Sequence, residues 1–149
     1  MISELLQSSF IDLDFDVADK NAAIDKLSDM LCESGKITDK EIFSNAVIER
    51  EKLGSTGIGA GIAIPHARTS TVNEVSIAFA RSNKGIDFNA IDGDPVNLFF
   101  VLAAPTESGS AYLKLLARIS RLLRYQDLID ELKKAKTKEE VIQLIASRE

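Results

Sequence analysis

His66 is the only histidine in a chain of 149 residues, and it closes the run Gly54-Ser55-Thr56-Gly57-Ile58-Gly59-Ala60-Gly61-Ile62-Ala63-Ile64-Pro65-His66. Imidazole is the side chain whose unperturbed pKa lies nearest neutrality. In its neutral form a ring nitrogen is a competent nucleophile toward phosphorus, and the phosphoramidate it forms passes the group onward readily. The glycine-rich turn ahead of it offers backbone N–H groups that can approach an anion closely. Ile62-Ala63-Ile64 reads as a short apolar strand, and Pro65 removes a backbone donor and stops the ladder. His66 is therefore expected where the strand leaves the sheet, presented to a phosphoryl group. The alternative is a structural histidine hydrogen-bonded at a strand end.

Arg50 lies sixteen positions upstream, at the end of a helix. If the glycine turn folds back, its guanidinium could stabilise the equatorial oxygens of a transferring phosphoryl group. Otherwise it is a surface arginine paired with Glu49 or Glu51. Arg68 is a second candidate for the same role. Ser55 and Thr56 could donate hydroxyl hydrogen bonds to an anion or simply shape the turn, and Gly57 and Gly59 could line an anion pocket or serve as turn glycines. Lys114, Arg118 and Arg121 share a helix face that is either a contact stripe or a solvated one.

Other chemistries lack their parts. Gly57, Gly59 and Gly61 do not form a G-x-G-x-x-G between strand and helix, and no G-x-x-x-x-G-K-[ST] loop occurs. One histidine and one distant cysteine cannot make a zinc site. Asp87, Asp92 and Asp94 are off-register for an EF-hand and read as turn chemistry. A Ser-His-Asp triad is open on composition, but no G-x-S-x-G elbow is present.

The elements that must position these residues follow from periodicity. A short helix near residues 3–7 leads to alternation over Phe10–Phe15, which predicts a half-buried strand. Ile24, Leu27 and Leu31 predict a helix over residues 19–34, stopped by Gly35 and carrying Cys32 as a small buried hydrophobe. Thr38 and Glu41 predict a capping box for a helix through about Leu53, with Ile42, Ala46 and Val47 on its apolar face. Val75–Ala80 and Val96–Leu102 read as strands, Gly85–Phe88 as a short edge strand, and Asp92-Gly93-Asp94-Pro95 as a turn. Helices are predicted over residues 110–123, with Tyr112, Leu116, Ile119 and Leu123 inward, over 127–134, and from Lys138 capped by Thr137 and Glu140. Strands in the middle with helices at both ends define an α/β sandwich in one domain, a mixed sheet flanked by helices on both faces.

Apolar content of 45% and charged content of 28% are ordinary for a globular chain. A net charge of −5 without a basic run argues against nucleic-acid binding. A single cysteine allows no internal disulfide, and no basic-then-apolar leader or apolar run of membrane length occurs, so a cytoplasmic protein without membrane insertion is expected.

Glu49-Arg50-Glu51, Ser55-Thr56-Gly57-Ile58-Gly59 and Gly61-Ile62-Ala63-Ile64-Pro65-His66-Ala67-Arg68 together closely resemble the IIA domains of the fructose–mannitol class of the bacterial sugar phosphotransferase system, including the nitrogen-regulatory IIA proteins. The likeness continues through Ile86-Asp87-Phe88, Ala90, Asp92-Gly93, Pro95-Val96 and Tyr112-Leu113-Lys114-Leu115-Leu116, and so spans nearly the whole chain. It implies a single type 2 IIA domain over residues 1–149, acting as a phosphotransferase component. His66 would accept a phosphoryl group on Nε2 from phospho-HPr and give it to a IIB domain for uptake of a fructose- or mannitol-type sugar. The alternative within the same family is a regulatory protein whose phosphorylation state selects its protein partner. Arg50 matches the family's active-site arginine; no cofactor and no metal are implied. Many relatives carry a second histidine where this chain has Tyr112, which would line the pocket. A tyrosine can donate a hydrogen bond to a phosphoryl oxygen, but with a pKa near 10 it is no cation at pH 7.

Overall fold

Val75, Ile77 and Phe79 alternate along residues 75–80, and Val96, Phe99, Phe100 and Val101 recur in 96–102. Both stretches feed the central strands because β-branched and aromatic side chains pack well on a pleated surface. The computed structural model describes residues 1–149. In chain order it contains α1 (Ile2–Leu5), β1 (Ile11–Asp12), α2 (Lys20–Glu33), α3 (Lys40–Lys52), β2 (Gly57–Gly59), β3 (Ile62–Ala63), β4 (His66–Arg68), β5 (Ser76–Ile86), β6 (Val96–Ala104), α4 (Ser110–Leu122), α5 (Gln126–Lys134) and α6 (Lys138–Arg148). The sheet runs β1-β5-β6-β3-β2, and β4 also pairs with β6. It is mixed: β1 lies parallel to β5, β3 and β4 lie parallel to β6, and the β5–β6 and β2–β3 pairs are antiparallel.

An antiparallel pair with one wet face alternates buried and exposed residues. Here Ser76–Ala80 and Leu98–Ala104 are buried without a break, so both faces of the sheet are covered. Helix α2 packs on α3 and β5, α3 lies against β4, and α1 bridges β5 and α6. This is the expected α/β sandwich. No helix is long and apolar enough to cross a membrane. In the interior the Phe99 ring meets Phe88 edge-on at 5.3 Å and Phe15 at 5.5 Å, and Phe79 meets Phe100 at 5.1 Å. Phe99→Ala removes a fully buried ring and is expected to cost about 3–5 kcal/mol of unfolding free energy. Urea denaturation checks this, and a loss under about 1 kcal/mol would mean that the neighbouring rings collapse into the space.

Several local expectations change. Asp39, not Thr38, caps α3, accepting from the Ile42 N–H at 3.1 Å. The Thr38 hydroxyl instead donates to the Thr71 carbonyl beside the Ile37–Val72 bridge, so no box forms with Glu41. The buried stripe of α3 is Phe43, Val47 and Glu51, whereas Ile42 is exposed. The strand expected over Phe10–Phe15 shrinks to β1, because Phe10 ends a 3₁₀ turn and the Asp12 carboxylate turns the chain by accepting from the Asp14 N–H. Gly85 and Ile86 are no separate edge strand; they end β5 after a register shift beyond Arg81. Cys32 is half-buried rather than buried. Helix α4 buries Leu115 and Leu122 along with Tyr112 and Ile119, and leaves Leu116 half-buried. Two helix signals operate as expected. Gly35, at φ +82°, follows the last turn of α2. The Thr137 hydroxyl accepts from the Glu140 N–H at 3.1 Å to start α6.

Candidate functional site

Strands β3 and β4 pair with the same strand in one continuous register, Ile62 with Leu98, Ala63 with Phe99, then His66 with Leu102. Pro65 breaks the ladder for want of an N–H, yet its carbonyl still accepts from the Leu102 N–H at 3.0 Å. His66 therefore stands within the sheet, at the restart of an interrupted strand, rather than where a strand departs. Its Nδ1 lies 2.8 Å from the Ile64 carbonyl. A carbonyl oxygen only accepts, so Nδ1 carries the proton and Nε2 keeps its lone pair in the neutral ring. The half-buried ring has its pKa lowered from 6.5 chiefly by burial; the Ile64 bond and Glu51 raise it, and Arg50 lowers it further. A group held below its ordinary value gains its proton only at lower pH, so His66 is neutral at pH 7. An NMR titration of the ring is expected to give a midpoint below 6.5, and a midpoint above that value would overturn the account.

Ala46, Arg50, His66, Ala67, Arg68 and Tyr112 line a shallow cavity of about 330 Å³. Arg50 reaches it from the last turn of α3 and donates to the Gly54 carbonyl at 2.9 Å. It pairs with neither neighbouring glutamate: Glu49 holds Lys52, and Glu51 is buried against Lys20. The Arg68 guanidinium sits 4.9 Å from the Tyr112 ring centre, and the Tyr112 and His66 rings lie 6.0 Å apart. Burial pushes the Tyr112 hydroxyl up to about 12 against the pull of Arg68 and Arg50, so it keeps its proton and can act as a donor. The lining thus combines two guanidinium groups, a neutral imidazole and a phenol, with no carboxylate. Such a cavity can receive a dianionic group and place it against a nucleophilic nitrogen.

The glycine turn does not join this lining. The Ser55 hydroxyl donates to the Phe88 carbonyl at 2.8 Å and accepts from the Gly57 N–H at 3.0 Å. Thr56 gives its N–H and hydroxyl to the two Glu51 oxygens, at 3.1 and 2.5 Å. A Cβ at Gly57 would stand 2.8 Å from Ala90, and Gly59 adopts φ +96° beside Asp92, whose carboxylate accepts from the Ala60 N–H. Gly57 and Gly59 stand where the turn packs on the 87–94 loop, whereas Gly61 faces Asn97 and Lys133 instead. Protein acceptors take the N–H groups of Thr56, Gly57 and Ala60. Of the eight residues singled out from sequence, the cavity gathers His66, Arg50, Arg68 and Tyr112, and leaves out Ser55, Thr56, Gly57 and Gly59. Lys114, Arg118 and Arg121 are exposed and lie outside it. Ala46, expected on the apolar face of its helix, belongs to it as well, and the helical spacing of four from Arg50 is the signal that puts it there.

An α/β sandwich of this form is the fold of the IIA proteins. The crystal structure of the nitrogen regulatory protein IIA-Ntr from Neisseria meningitidis matches with a TM-score of 0.90 at 32% identity, over 97% of this chain and 98% of that one. Residues 4–148 match the family described as the phosphoenolpyruvate-dependent sugar phosphotransferase system, EIIA 2, and the chain belongs to that family. It is 37% identical over 145 residues to the fructose-specific EIIA component of Haloferax volcanii, covering 97% of this chain and 94% of the relative. It is 38% identical over 144 residues to the fructose-specific EIIABC component of Bacillus subtilis, where the match covers 97% of this chain but spans only 23% of that protein's length.

Proposed function

We propose that this protein is a cytoplasmic histidine phosphocarrier, a single type 2 IIA domain over residues 1–149. In this role phospho-HPr gives its phosphoryl group to His66, which passes it to a IIB domain serving uptake of a fructose-type sugar. The observation that carries the reading is the Ile64 carbonyl holding Nδ1–H, which leaves the Nε2 lone pair available in a cavity of guanidinium groups. The Nε2 lone pair attacks phosphorus as the bond to the donor's imidazole nitrogen breaks; the donor ring, protonated on its other nitrogen, keeps that bond's electron pair and leaves as a neutral imidazole. Positive charge develops on the His66 ring, and the bond to Ile64 stabilises it. Arg50 and Arg68 offset the charge on the phosphoryl oxygens, and the Tyr112 hydroxyl donates to one of them. The chemistry is positioning and charge stabilisation, and it is reversible, as a carrier requires.

Incubation with enzyme I, HPr and phosphoenolpyruvate, followed by mass spectrometry under alkaline conditions, tests this. One phosphoryl group on His66 is expected; an unmodified His66 would refute the reading. The likeness to IIA-Ntr favours a second role, in which the phosphoryl group acts as a switch of about −1.5 to −2 charges on a partner-binding surface. Capture experiments with the phosphorylated and unphosphorylated protein separate the two: a IIB domain supports transport, whereas a kinase or channel supports regulation.

A further inference from the structure

Glu51 occupies the core-facing stripe of α3, one helical step after Val47 and two after Phe43, where an apolar residue would ordinarily stand. It is 7% exposed. Lys20, at the start of α2, pairs with its Oε1 at 2.9 Å, and Thr56 supplies the N–H and hydroxyl already described. Lys20 is itself held over the Phe88 ring at 4.7 Å. A buried ion pair is weak evidence of stabilisation, since apolar replacements of similar volume are often neutral. What this one supplies is geometry.

Two carbonyls of the segment it anchors are attached to the site. The Gly54 carbonyl accepts from Arg50 Nη1 at 2.9 Å. The Thr56 carbonyl accepts from the Ile64 N–H at 3.1 Å, and the Ile64 carbonyl in turn holds His66 Nδ1. Residues 54–56 therefore connect to both functional groups, and the Glu51 carboxylate links Thr56 of that segment to Lys20 of α2. We propose that Glu51 is a positioning residue for the phosphoryl site, holding Arg50 and His66 in mutual register through Thr56; the inference rests on the carrier role given above to those two groups.

Glu51→Gln keeps the side chain's shape and removes the charge shared by Lys20 and Thr56. Two measurements on the full chain test it: the initial rate of phosphorylation by enzyme I, HPr and phosphoenolpyruvate, and the ¹⁵N shifts of the His66 ring, which report its Nδ1–H fraction. Glu51→Gln is expected to slow phosphorylation about 10- to 100-fold, because ångström-scale misplacement has effects of that order, and to lower the Nδ1–H fraction. Glu49→Gln removes an exposed charge that is paired only with Lys52, and is expected to change neither. Thr56→Val is expected to move both readouts in the same direction, and Thr56→Ser to restore them. If Glu51→Gln does not fold, the Thr56 pair decides the matter by the same two readouts. A folded Glu51→Gln or Thr56→Val protein with wild-type rate and wild-type tautomer overturns the positioning role and leaves the carrier reading standing. Wild-type protein that takes no phosphoryl group sinks the carrier reading, and the tautomer comparison then still decides what Glu51 does to the ring.

Discussion

His66→Ala is expected to abolish phosphoryl incorporation entirely while leaving the protein folded. The chain has no second imidazole, so nothing else of comparable nucleophilicity stands in the cavity. Tyr112 is the nearest alternative acceptor, with its ring 6.0 Å from that of His66, but a hydroxyl whose pKa is about 12 keeps its proton at pH 7 and is a poor nucleophile. The substitution removes a half-buried ring and one side-chain bond, to Ile64, so the thermal midpoint should move by only a few degrees. Intact-mass spectrometry after incubation with the donor system, alongside a circular-dichroism melt, measures both effects. A phosphoryl group surviving alkaline workup in the His66→Ala protein would place the acceptor elsewhere and undo the assignment.

Arg50→Ala carries the second-largest expected effect, a fall in the initial phosphorylation rate of about 10²- to 10³-fold, the scale seen when a preorganised charge-stabilising donor is removed. The residue is well placed for such a test because its side chain makes one protein hydrogen bond, to the Gly54 carbonyl, and no ion pair. Its loss should therefore slow transfer without unfolding the chain. Arg50→Lys restores the charge but not the planar fork that can engage two phosphoryl oxygens together, so it should recover only part of the rate. Stopped-time labelling of the three proteins under identical donor concentrations distinguishes them. An Arg50→Ala protein that transfers at the wild-type rate would show that Arg68, stacked on Tyr112, supplies the charge alone.

The local features legible in the sequence share a physical basis: each is decided within three or four residues. Gly35 ends α2 through its own left-handed conformation, and Thr137 caps α6 through a bond to the N–H three residues on. The central strands announce themselves by composition, and Pro65 interrupts a ladder wherever it stands in one. Thr38 shows the limit of such signals. It precedes an equally good cap, Asp39, and the choice between them is made by Thr71, 33 positions away, whose carbonyl takes the Thr38 hydroxyl. The glycine turn shows it again: its spacing suggested an anion cradle, but the distant Asp92 carboxylate and the close approach of Ala90 decide what its backbone does.

The sequence alone therefore determined that one imidazole, two flanking arginines and an α/β scaffold were present, because residue identity and short-range periodicity survive in any fold. The family resemblance added the expectation that they act on a phosphoryl group. Tertiary structure alone decided that α3 delivers Arg50, the interrupted strand delivers His66 and α4 delivers Tyr112 to one cavity. It also decided that Nδ1 holds the proton, and that a buried carboxylate, Glu51, ties the intervening turn in place. Those outcomes depend on strand register and helix packing between segments far apart in the chain, where the free energy comes from burial and satisfied polar groups rather than from any local preference.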